Sequence, residues 1–115
     1  MEKILWDEIS MTIISNAGAA KSNSIMAISC MEENKFEEAD KLLAEADKYM
    51  IIAEKAHMDI IVQEAQGVKH DFKVLFMHAE DQMLTTQVLL IMAQKFYNLY
   101  KMIGSNNMVN KKSST

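Results

Sequence analysis

The chain has 115 residues, no proline and three glycines, and half of it is hydrophobic, which suits one domain of long helices. A net charge of −4, scattered basic residues and few aromatics argue against a nucleic-acid surface. The lone Cys30 excludes an internal disulfide and fits a reducing compartment. No apolar run approaches the ~20 residues of a membrane span. The charged stretch Met1–Glu8 is unlike a signal peptide. A soluble, cytoplasmic protein without direct membrane insertion is expected.

Abundant methionine, alanine, lysine and glutamate favour helix, and the β-branched residues never alternate as a strand would. The class is all-α. A first helix is predicted from about Ile4 to Met31, with Leu5, Ile9, Ile13, Ala20, Ala27 and Met31 at helical spacing. Gly18 interrupts it within a run of small residues, which suggests close packing against a neighbour. The polar run Glu32–Lys35 ends it, and Asn34 is placed to cap the second helix, with Glu37 at the capping-box position.

The second helix carries a heptad seam. Phe36, Leu43, Met50, His57 and Glu64 recur every seventh residue, interleaved with Ala39, Ala46, Ala53, Ile60 and Gly67. Such a seam predicts left-handed, antiparallel bundle packing, with the alanines admitting a neighbouring helix closely. His57 and Glu64 are expected to pair with polar groups of the first helix (Ser15, Asn16, Ser22, Ser24) and fix register. Gly67 is the expected stop, and His70 a solvated loop residue.

The third helix is predicted from a cap at Asp71 to Gly104, with two apolar stripes. One runs Leu75, Ala79, Gln82, Thr86, Leu89, Ala93, Phe96, Tyr100, Ile103. The other, about 100° around, runs Val74, His78, Asp81, Thr85, Val88, Met92, Leu99. A three-helix bundle fills its core with one broad face per helix. The surplus stripe therefore predicts self-association around a symmetry axis. The domain is read as residues 1–104, followed by a polar tail, 105–115. The eleven methionines are read mostly as core filler.

His78 and Asp81, three residues apart, share a face of this helix. An accessible imidazole is a competent nucleophile near neutral pH. The plainer alternative is a core histidine with satisfied ring nitrogens. Asp81, multiplied by symmetry, would gather carboxylates suited to a hard cation such as Mg²⁺ or Ca²⁺; alternatively it simply faces water. The sequence has no glycine-rich phosphate loop, hydrolytic triad order or zinc-type cysteine spacing.

The run Ile13–Ser22, with Phe36-Glu37-Glu38-Ala39, Gln63-Glu64-Ala65-Gln66-Gly67 and His78-Ala79-Glu80-Asp81-Gln82-Met83, resembles the enzyme IIA component of the lactose/cellobiose-type sugar phosphotransferase system. The likeness spans residues 4–103. It implies a three-helix bundle that assembles as a homotrimer through the third helix. It also implies that His78 accepts a phosphoryl group from the carrier HPr and passes it to a cysteine of enzyme IIB, and that three copies of Asp81 bind Mg²⁺ on the axis. The chain departs from the usual pattern at several positions. Glu80 replaces a glutamine, Gln82 a histidine and Glu54 a histidine; His57-Met58 stands for Gln-Thr, and Met26 for an acidic residue. Glu80 is expected to repel a phosphoryl group on His78. A catalytically silent trimeric module of the same fold is the alternative reading. A signalling histidine phosphotransfer domain would need four helices and basic residues near the histidine.

Overall fold

A computed structural model describes residues 5–113, with side chains as far as residue 105. Its three helices are α1 (Trp6–Glu32), α2 (Phe36–Ala65) and α3 (Val74–Ser113). Contacts between Asn23 and Glu45, and between His57 and Glu80, show α2 running against both its neighbours. Trp6 against Phe76 brings the starts of α1 and α3 together. The result is an all-α three-helix bundle, a rod of 72 × 21 × 19 Å.

The two connections end their helices by the same device. After α1, the Asn34 N–H donates to the Met31 carbonyl (3.1 Å) and the Lys35 N–H to that of Cys30 (2.8 Å), with Asn34 at φ +62°. After α2, the Gly67 N–H donates to Glu64 (3.0 Å) and that of Val68 to Gln63 (3.0 Å), with Gly67 at φ +95°. Both are Schellman motifs, in which a left-handed residue lets the chain turn back onto the last carbonyls. Gly67 stops α2 as expected. Asn34 does not cap α2; it closes α1, and the N-cap of α2 is Lys35, which forms no side-chain cap bond. Asparagine serves both roles, and its tolerance of positive φ decided between them. Gly104 likewise does not stop α3, which starts at Val74 rather than Asp71 and continues to Ser113. A glycine that keeps negative φ costs a helix only about 1 kcal/mol and is no terminus.

Alanines make up much of the core. Ala17, Ala20, Ala27, Ala39, Ala46, Ala53, Ala79 and Ala93 are fully buried. They let the backbones approach, while Ile13, Met31, Leu43, Met50, Met83 and Leu90 fill the space between. The α2 seam is buried from Ala39 to Ile60 apart from the half-buried His57, and Glu64 is exposed. On α3 the buried line is Ala79, Met83, Thr86, Leu90 and Ala93, with Tyr97 half-buried. Leu75, Phe96 and Ile103, assigned to the core from sequence, stand exposed. Both lines have heptad spacing and share Ala79, Thr86 and Ala93; the core face is rotated toward Met83 and Leu90, one residue on from Gln82 and Leu89, and spacing alone does not fix that phase.

Three further expectations change. Gly18 is exposed, and a Cβ placed there meets nothing within 4 Å, so close packing falls to its neighbours Ala17 and Ala20. Of the methionines, Met31, Met50 and Met83 are buried, whereas Met11, Met26, Met58, Met77, Met92 and Met102 are exposed. Unbranched methionine is a good helix former wherever it points, so abundance did not imply burial. The buried polar tie between α1 and α2 is Asn23, whose Nδ2 donates to the Leu42 carbonyl (3.4 Å) and to Glu45 Oε2 (3.2 Å). Ser24 turns its hydroxyl back to Ala20 instead (2.8 Å). No helix among the described residues is long and apolar enough to cross a membrane.

Candidate functional site

The second stripe of α3 lies outside the bundle. Val74, His78, Asp81, Thr85, Val88, Met92 and Leu99 are all exposed, Val88 at 62 %. His78 is thus not a core histidine. Its ring is open to solvent on the first turns of α3, with exposed Val74 and Met77 beside it. Asp81, one turn on, is exposed too, and neither side chain forms an ion pair or side-chain hydrogen bond among the described residues. Below them Thr85 Oγ1 donates to the carbonyls of Asp81 (2.9 Å) and Gln82 (3.2 Å), satisfying itself along the helix.

No group of three or more metal-ligating side chains occurs among the described residues. Asp81 supplies one carboxylate per chain on an unpartnered face. Its hard oxygen donors fit Mg²⁺ or Ca²⁺ only when several copies converge.

On the side of α3 that faces α2, a second set of residues surrounds the start of the helix. Glu80 Oε2 accepts a hydrogen bond from His57 Nε2 at 2.6 Å, with the two side chains 31 % and 16 % exposed. An ionised carboxylate offers only acceptors, so Nε2 carries the hydrogen. The His57 ring stacks on Phe76, 5.8 Å between centroids and 13° between planes. Trp6 meets Phe76 and His70 edge-on, each at 5.2 Å. Trp6, His70, Phe72 and Phe76, with Ile60, Ile61 and Met77, line a recess of about 320 Å³ whose polar rim is Glu64, Asp71, Lys73 and Glu80.

Two sequence expectations fail here. His57 does not reach α1; it bonds α3. His70 is no solvated loop residue, because its Nε2 is buried without a partner and its ring packs on Trp6. Both miss for one reason: the α2–α3 connection folds back over the end of the bundle, and nothing local in the sequence encodes that. The usable signal was chemical complementarity. A histidine at 57 and a glutamate at 80, each departing from the pattern, are a donor and an acceptor.

The family model described as "PTS system, Lactose/Cellobiose specific IIA subunit" matches residues 8–101. The chain belongs to this family. It is 32% identical over 95 residues to the oligo-beta-mannoside-specific EIIA component of Bacillus subtilis, covering 83% of this chain and 86% of the other. Against the lactose-specific EIIA component of Streptococcus mutans it is 32% identical over 89 residues, covering 77% and 86%. Among solved structures, the cellobiose-specific enzyme IIA from Bacillus anthracis superposes with a TM-score of 0.83 at 27% identity, over 90% of this chain and 95% of that one. PtcA from S. mutans gives 0.83 at 29% identity, over 88% and 99%. This enzyme IIA is therefore a phosphotransferase-system component, a phosphoryl carrier built on a three-helix bundle. Among the described residues there are three helices rather than the four of a signalling phosphotransfer domain, and the acidic Glu80 and Asp81 follow His78 in the chain.

Proposed function

We propose that this enzyme IIA carries its phosphoryl group on His78, taking it from phosphorylated HPr and giving it to enzyme IIB. The observation that supports this most directly is the exposure of the His78 ring on the outward face of α3, within the residues that match the family. A protein donor and a protein acceptor must each reach that ring in turn. The exposed Val74 and Met77 beside it on α3 give it an apolar rim on which a partner can settle.

The chemistry asks little of the chain beyond presentation. A lone pair on a ring nitrogen of His78 attacks phosphorus on the donor. The N–P bond to the donor's imidazole breaks, and its electron pair returns to that ring. In the second transfer a cysteine thiolate of enzyme IIB attacks, an S–P bond forms and the bond to His78 breaks. Both steps depend on in-line positioning and on polar groups around the equatorial oxygens. No nucleotide is consumed, because the donor is already phosphorylated.

The outward stripe of α3 from Asp81 to Leu99 is the surface through which three copies of the left-handed bundle associate around a threefold axis, with His78 at the rim of the assembly. Three Asp81 carboxylates then meet on that axis, where Mg²⁺ offsets their mutual repulsion; the ion's role there is structural. The protein works in the cytoplasm, and the sugar at the end of the pathway is of the lactose, cellobiose or chitobiose type. Incubation with phosphoenolpyruvate, enzyme I and HPr tests the reading. Acid-labile phosphate is expected on the wild type, retained at end point in His57→Ala and His70→Ala and lost in His78→Ala. An unlabelled wild type would make the chain a silent module.

A further inference from the structure

Glu80 lies two residues from His78. That is about 3 Å of rise and about 200° of turn, so the two side chains leave α3 on different sides. The negative charge is nevertheless close enough to matter to a phosphoryl group on His78. The structure also accounts for where that charge goes: Glu80 Oε2 is held at 2.6 Å by His57 Nε2. The His57 ring is in turn fixed by stacking on Phe76, so the donor that holds Glu80 has little freedom of its own.

We propose that His57 is a positioning residue for phosphoryl transfer, one that pins the Glu80 carboxylate against α2 and compensates its charge so that it does not oppose phosphate on His78. The inference rests on His78 being the phosphoryl acceptor. His57 touches neither donor nor acceptor protein; it acts wholly through Glu80. Three observations favour this over a pair that merely adds stability. The bond is short, as charge-assisted bonds are. Both side chains are more than two-thirds buried, so solvent screens the pair weakly. And the carboxylate it holds sits on the same two turns of helix as His78, rather than elsewhere along the 40 residues of α3.

The electrostatic claim makes a prediction that packing does not. Freed from His57, Glu80 should slow phosphorylation of His78; neutralising Glu80 in the same background should restore it, although the imidazole and its stacking remain absent. The rate is measured with phosphoramidate, a small donor that needs no docking partner, by mass spectrometry of the peptide containing His78. A unit charge at this range is worth roughly three- to tenfold in rate. His57→Ala is therefore expected to be slower by that factor. Glu80→Gln should react at or above the wild-type rate, and His57→Ala/Glu80→Gln should recover most of the loss. Should His57→Ala fold poorly, His57→Phe removes the N–H donor while keeping a ring to stack on Phe76, and the Glu80→Gln rescue is read in that background. A His57→Ala rate within twofold of wild type, or a double variant as slow as His57→Ala, overturns the proposal. Phosphoramidate labels an exposed imidazole whether or not HPr does. The outcome is therefore separable from a failure of His78 to take phosphate from HPr.

Discussion

The first turns of α3 present two histidine environments on opposite sides. Toward α2, the His57 ring is stacked on Phe76 and bonded to Glu80, and nearby His70 is wedged against Trp6. Toward solvent, His78 and Asp81 stand on a stripe with no partner in the single chain. The same residue type is used for cohesion on one side and for availability on the other. Burial separates the two roles: a ring enclosed by aromatics cannot receive a visiting phosphoryl group, while one on the outer face contributes little to folding.

That contrast can be broken from either side. The largest effect expected is on transfer: His78→Ala should abolish HPr-dependent labelling while leaving the unfolding free energy within about 0.5 kcal/mol of wild type, as surface changes usually do. On the inner side, Met83 is 2 % exposed in the buried line of α3. Met83→Ala should cost about 2–5 kcal/mol in urea denaturation and leave His78 able to accept label when folded. His57→Ala should lose roughly 1.5–3 kcal/mol, the range for a hydrogen bond to a charged group. On the outer stripe, Val88→Asp should dissociate the proposed trimer in analytical ultracentrifugation with little change in the fold of each chain. Asp81→Leu should abolish the Mg²⁺ binding proposed for the axis, read by calorimetry, and keep the proposed trimer. The smallest effect is at Gly18, where an added Cβ meets nothing. Gly18→Ala should raise stability by about 1 kcal/mol, and a loss instead would place another copy against α1.

Much of this was legible in the sequence because it is periodic. The α2 heptads, the polar break after Met31 and the glycine at 67 follow from spacing and local backbone preference, and the structure keeps all three. The outward stripe was legible too, since one bundle cannot bury two faces of the same helix. What escaped depends on chain reversal or on dual chemistry. Asn34 has one side chain and two possible jobs at a helix boundary. Gly104 is a stop only if the backbone enters positive φ, and composition does not say so. His57 and Glu80 are 23 residues apart, and their meeting depends on the register set by the α2–α3 connection. Glu80 read as an intrusive charge because its partner could not be seen.

Trp6 has a practical consequence. It is the single tryptophan of the chain, and it sits edge-on to Phe76 and His70 at the recess on the α2 side of the first turns of α3. Its emission is therefore an intrinsic optical signal from the end of the molecule where a partner would dock. Titration with HPr, followed at the tryptophan band without any attached dye, should report occupancy of that end, and a red shift on denaturation calibrates the scale.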